Sequence, residues 1–306
     1  MNGRWLAVLR AGTAFVLAAA ALASPGFLSE AGMVSLLISS SFIGCITIGM
    51  TLITLSGNIM AFCLGATAAA STMIFVAASN WGGLAFAVPA TLLFGAAVTG
   101  AQGLVIGSLR ANPIIVSIAA LALIEGIAEG LMQGQSLYFA NAVGYQALRG
   151  KIFGIPGEFV VFVAVLAVGQ FILSLTAFGR HIYLVGDSAR AATALGIRVW
   201  RTVGFVYFWA GIFTAAAGIL LAVRYGGGNM GYGAGYDYDA IAAVLVGGTA
   251  IQGGRGAVWR SFIGVLVIAV VQMVLLLNGF RDEWQYFIAG LIVLGAIMLQ
   301  TRLVRG

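Results

Sequence analysis

Residues 31–109 read AGMVSLLISSSFIGCITIGMTLITLSGNIMAFCLGATAAASTMIFVAASNWGGLAFAVPATLLFGAAVTGAQGLVIGSL, and no charged side chain interrupts them. A soluble domain carries charge at roughly one residue in four. A stretch of this length without one cannot form a hydrated surface, so lipid is its solvent. The rest of the chain agrees. Of 306 residues, 61% are apolar and 8% charged, and the mean hydropathy is +1.07. This composition excludes a cytosolic enzyme, a secreted domain and a nucleic-acid-binding protein. The net charge of +6 does not rescue the last of these, because the arginines are scattered singly and form no stripe for phosphates.

A membrane crossing takes about 20 apolar residues. Bilayer spans must satisfy their own backbone, so they are helices or strands of a closed barrel. A barrel would show short alternating segments, whereas this chain has continuous apolar runs such as Val265 to Leu277. The fold is therefore predicted to be an all-α polytopic bundle, one transmembrane domain over 1–306, with nine or ten spans. They fall at about 5–24, 31–54, 58–78, 83–107, 114–133, 158–177, 202–223, 239–252, 259–278 and 285–301. Abundant glycine (44 residues) suits close helix packing in lipid. Two polar segments interrupt the spans, an outer loop at about 134–157 and an inner loop at about 179–201. With both termini in the cytoplasm, eleven of the fifteen basic residues fall on the inner side, as the positive-inside rule requires. Arg4, Arg10 and the Ala21-Leu22-Ala23 triplet resemble a cleavable signal peptide. A retained first helix is the preferred reading, because more spans follow at once.

The inner loop carries the most charge. From Gly179 it reads GRHIYLVGDSARAATALGIRVWRT. Asp187 or Ser188 can cap a short helix, Ala189 to Leu195 are mostly helix formers, and Gly196 can end it. Its small residues, Ala191, Ala192 and Ala194, would let a partner's groove approach closely. A surface helix held on lipid headgroups by Arg190 and Arg198 is the plainer alternative. Two Gly-interrupted elements are candidates for a solute pathway, since transporters often bind solute where short, broken helices meet. The first contains Ser56, Gly57 and Asn58; the second runs from Asp237 to Gly254 around Gly247, Gly248 and Thr249. An ordinary turn and a packing notch are the alternatives. Glu125 and Glu129 lie four apart on one helix face, either facing outer water or serving the pathway. Asp237 and Asp239 are placed at the outer start of the eighth span, as helix caps or as contacts for a binding protein.

Other features carry less. Cys45 and Cys63 sit in apolar runs with no nearby His, and no metal site is implied. Gly226 to Gly231 fits a dinucleotide fingerprint but follows a span rather than a strand. His181 is the only histidine, which excludes an HExxH protease.

Ala191-Ala192, three residues, then Gly196 resembles the EAA-x3-G coupling loop of ABC importer permeases, with Arg190 where Glu is usual. The wider run GDSARAATALGI, beginning at Gly186 and Asp187, resembles that loop in the ribose-type sugar permeases. The resemblance continues through GYDYDAIAAVLVGGTAIQGGRGAVWRSFIG, Gly235 to Gly264, and more weakly through Gly49 to Gly65 and Ala111 to Gly126. It touches most of the chain after about residue 45. It implies a permease subunit of the bacterial inner membrane, paired with a second permease subunit as homo- or heterodimer. A periplasmic solute-binding protein would deliver a sugar or similar solute, and a cytosolic ABC ATPase would dock on the inner loop. ATP and Mg would be used by that ATPase. This chain lacks a G-x4-G-K-[ST] motif, its only lysine being Lys151, so it is expected to hold no cofactor and catalyse nothing. It departs from the family pattern at Asn58 and Met60, where Gly and Asp are usual, and at Glu125, where Arg is frequent. The competing readings are an ion-coupled secondary transporter, an intramembrane enzyme, and an ABC permease for nucleosides or branched-chain amino acids. The second lacks paired acids deep in a span, and the first would draw on Glu125 and Glu129.

Overall fold

The computed structural model describes residue 24 and residues 26–295, apart from 59, 60, 141–144, 146–148, 153, 282, 286 and 293. The expected first span with Arg4 and Arg10, the signal-like triplet, Met60, the end of the tenth span and both termini lie outside the described residues. The helices are α1 (Glu30–Leu55), α2 (Leu64–Leu109), α3 (Pro113–Met132), α4 (Gly157–Leu175), α5 (Ala177–Asp187), α6 (Ala189–Ala194), α7 (Val199–Tyr225), α8 (Tyr236–Val246) and α9 (Val258–Leu277). Six of them, α1 to α4, α7 and α9, are long and apolar enough to cross a membrane. Two-residue strands β1 (Leu137–Tyr138) and β4 (Gly227–Gly228) pair antiparallel, as do β2 (Lys151–Ile152) and β3 (Ile155–Pro156).

Local chemistry sets most helix ends. Ser29 caps α1 by accepting from the Gly32 N–H, and Asn112 caps α3 from the Ile114 N–H with Pro113 following. α2 joins the predicted third and fourth spans. Gly83, at φ 72° and ψ 179°, breaks it where the sequence signals a turn. Both halves then lie along α7: Ala68 and Ser71 meet Gly218, while further on Gly95 meets Gly211 and Gly107 meets Trp200. α2 is thus a hairpin around Gly83.

α1 and α7 form the centre and are buried over most of their length. Glycine lets backbones touch there: a methyl group at Gly49 would meet the Ala210 carbonyl oxygen at 2.9 Å. Buried hydroxyls tie the helices across. Thr51 donates to Ser261 Oγ at 2.8 Å and Thr99 to the Tyr207 carbonyl at 2.8 Å. Such bonds contribute about 0.6 kcal/mol each in a membrane bundle. α3 lies at the margin, with Ile115, Leu123, Ile127 and Leu131 each more than 60% exposed. Lipid suits these side chains.

The chain segments sort to two ends. At one, Lys151 pairs with Glu30 at 3.1 Å, Asn80 holds the backbone of Tyr138 and Ala140, and Arg149 donates to the Arg224 carbonyl. At the other, the ends of α1 and α5 meet the loop between α8 and α9.

The eighth predicted span, short at about 14 residues and interrupted at Gly247-Gly248, does not cross. Its helix stops at Val246, and α8 has eleven residues, about 16 Å of helix. That is half a membrane, which favours the lower span count.

Candidate functional site

Two helices begin inside the bundle rather than at its ends. Gly107 meets Trp200 near one end of α7, and Ala68 meets Gly218 eighteen residues further along. At 1.5 Å per residue, α2 therefore starts about 20 Å up from that end. Among the described residues between Ser56 and Cys63, none is helical. From the opposite end, the segment after α7 descends along α2. Gly228 packs on Met73 and Gly233 on Gly65, with Asn229 held by the Thr72 and Ser136 hydroxyls. α8 then begins at Tyr236. Asp237, in its first turn, accepts a hydrogen bond from the Gly65 N–H at 2.9 Å. One half-helix thus supplies the anion that caps the positive end of the other.

A cavity of about 550 Å³ opens beside this junction, within the usual range for small-molecule sites. Phe62, Ala66, Glu125, Met230, Asp237 and Tyr238 line it, with apolar side chains of α3 opposite. The wall offers aromatic faces, open backbone near Gly233 to Gly235, and two carboxyl groups. No lysine or arginine lines it.

The inner loop folds as a helix pair. Thr176 caps α5 by accepting from the Gly179 N–H. Ser188 caps α6 by accepting from the Ala191 N–H at 3.2 Å. α6 ends in a Schellman motif. Gly196 takes φ 81°, its N–H donates to the Thr193 carbonyl, and the Ile197 N–H donates to that of Ala192. Arg190, Ala191, Ala194 and Leu195 are exposed on this short helix. Ala192 is not; it is 1% exposed and faces inward, so the expected small-residue surface loses that member. Gly186 is buried at the end of α5, and Asp187 is exposed beside it.

Among the pathway candidates, the structure brings only Glu125 to the cavity. Ser56 and Asn58 are buried at the far end of α1 and bond each other, Asn58 Nδ2 to Ser56 Oγ at 2.8 Å. Gly57 packs on Gly186. Gly247 sits against the Arg260 backbone and Thr249 beside Gly256, so this segment packs α8 onto α9. Asp237 and Asp239 lie in the first turn of α8, as expected for the start of the eighth span. Asp237 lines the cavity and caps α2 rather than its own helix, and Asp239 is 6% exposed. Phe62 and Tyr238 escaped the sequence reading. Their one signal is adjacency to the starts of α2 and α8.

Over residues 32–297 the chain matches the family described as branched-chain amino acid transport system / permease component. It belongs to that family. As a permease component it is a multi-pass membrane protein. Its relatives are transport subunits rather than enzymes. The ribose import permease protein RbsC of Bacillus subtilis is 30% identical over 91% of this chain and 87% of its own length. The L-arabinose transport system permease protein AraH of Escherichia coli is 28% identical over 92% and 85%. The probable ABC transporter permease protein YphD of Escherichia coli is 37% identical over 55% of this chain and 53% of its own. No solved structure matches the chain.

Proposed function

We propose that the chain is the membrane-spanning subunit of an ATP-driven importer for a sugar or a similar small polar solute. The observation that carries this reading is the likeness, over nine-tenths of the chain, to permeases named for ribose and arabinose import. The geometry fits it. The chain has a cavity between two half-helices, and at one end a capped helix that presents Arg190 and Ala191 to a partner. The Arg-rich end faces the cytoplasm of a bacterial inner membrane, with both termini on that side. A cytosolic ABC ATPase docks on α6, using its own ATP and Mg. A periplasmic solute-binding protein releases solute into the opposite end, and a second permease subunit completes the pathway. Solute passes through the cavity lined by Phe62, Tyr238 and Glu125. Asp237 holds its wall.

The test is isolation of the tagged chain in mild detergent, followed by reconstitution. Recovery of a Walker-A ATPase, and sugar uptake into liposomes that needs ATP, is the expected result. A chain that transports alone on an ion gradient overturns the reading. ATP-driven uptake of a branched-chain amino acid or a nucleoside but no sugar overturns only the solute assignment.

A further inference from the structure

We propose that four glycines clasp the docking loop, the end of α1 and the α8–α9 loop into one rigid block, through which a displacement of α6 reaches the cavity wall. The inference rests on the docking role proposed for α6. Three chain segments that are distant in sequence touch here mainly through backbone. Gly57 follows α1, Gly186 ends α5, and Gly253 and Gly254 lie between α8 and α9. A methyl group at Gly57 would lie 3.2 Å from the Gly186 Cα. One at Gly186 would strike the Leu55 carbonyl and lie 2.6 Å from the Gly254 nitrogen. One at Gly253 would lie 2.5 Å from the Gly57 Cα and 3.0 Å from the Gly186 oxygen. One at Gly254 would lie 2.8 Å from the Asp187 nitrogen. Two bonds stitch the contact. The Gly254 N–H donates to the Leu55 carbonyl at 3.0 Å, and the Tyr183 hydroxyl of α5 donates to the Gly256 carbonyl at 3.0 Å.

The scarcity of side chains between these backbones has a mechanical meaning. Side chains between two elements can absorb a push by changing rotamer, whereas touching backbones have no such freedom. Both segments that leave the block end at the cavity. From Gly57 the chain leads on to Phe62, just before the start of α2. Residues 247–252 join the end of α8, whose first turn carries Asp237 and Tyr238. A movement of α6 and α5 is thereby delivered to both half-helices at once. The contact of Gly49 with Ala210 is as tight, but it joins two central helices and does not include the docking loop.

The experiment uses the reconstituted complex with its ATPase and two glycine variants. Gly253→Ala, recovered with its ATPase bound, is expected to hydrolyse ATP while losing at least tenfold in uptake. Gly49→Ala is expected to lower thermal stability and keep the ratio of uptake to hydrolysis. Wild-type coupling in Gly253→Ala overturns the proposal. A wild-type complex that binds no ATPase removes instead the docking reading beneath it.

Discussion

Asp237 shows how much one side chain can decide. Its carboxylate caps a helix of a different segment, 172 residues away in sequence. A bond to an ionised acceptor contributes about 1 kcal/mol more than one to a neutral acceptor. Asp237→Asn is therefore expected to lower uptake about fivefold and to lower the melting temperature of the purified complex. Asp237→Ala, which leaves the N–H open, is expected to do worse on both. An Asp237→Asn protein equal to wild type in both assays would make the contact incidental. Glu125 is the cavity's other carboxyl group. Glu125→Gln is expected to change which solutes compete for uptake while membrane abundance stays constant, and unchanged competition at equal expression counts against a pathway role. The sequence exposes Glu125 by itself, since an acid in an apolar run is conspicuous. It hides the place of Asp237, because the depth of that residue depends on a partner that no local pattern names. Ser56 and Asn58 lie away from the cavity: a broken helix shows where backbone is freed, but not which end of the bundle receives it.

At the scale of elements, what is local is legible. α6 matches its reading almost residue by residue, because Ser188 and Gly196 act on their own neighbours. Ser188→Ala removes a cap worth about 1 kcal/mol. Gly196→Ala forces a left-handed residue at a cost of about 1–2 kcal/mol. The double variant is expected to retain less than a tenth of the bound ATPase in a pull-down, with unchanged insertion of the chain. α5 was missed, although Thr176 and the apolar spacing of Phe178, Ile182 and Val185 announce it. Its charged residues, Arg180 and His181, made the segment read as loop. Gly83 is legible as the turn between the third and fourth predicted spans. Its φ and ψ belong to a region that only glycine adopts freely, and any other residue costs about 1–3 kcal/mol. No neighbour crowds it, so Gly83→Ala is expected to lower the melting temperature by backbone strain alone. A melt equal to wild type would show that the hairpin bends elsewhere.

For the whole molecule, hydropathy yields the bundle, because it follows from the solvent, and the positive-inside count gives an expected orientation. The re-entrant path through the membrane does not follow, since its polar backbone is masked by apolar neighbours. Orientation is directly testable. In sealed cells, a thiol reagent that cannot cross the membrane is expected to label Lys151→Cys, and to label Arg190→Cys only after the cells are opened. The reverse pattern would invert the assignment of the two ends.

The shortness of α8 bears on how the protein is made. The insertion machinery releases segments of about 20 apolar residues into lipid one at a time, and eleven residues do not qualify. α8 must therefore enter as a passenger, drawn between helices already seated. The Gly65 N–H waits for Asp237 until nearly four-fifths of the chain has been synthesised. A ribosome stalled after α7 would leave an inserted chain whose cavity lacks Met230, Asp237 and Tyr238 and whose Gly65 N–H has no acceptor.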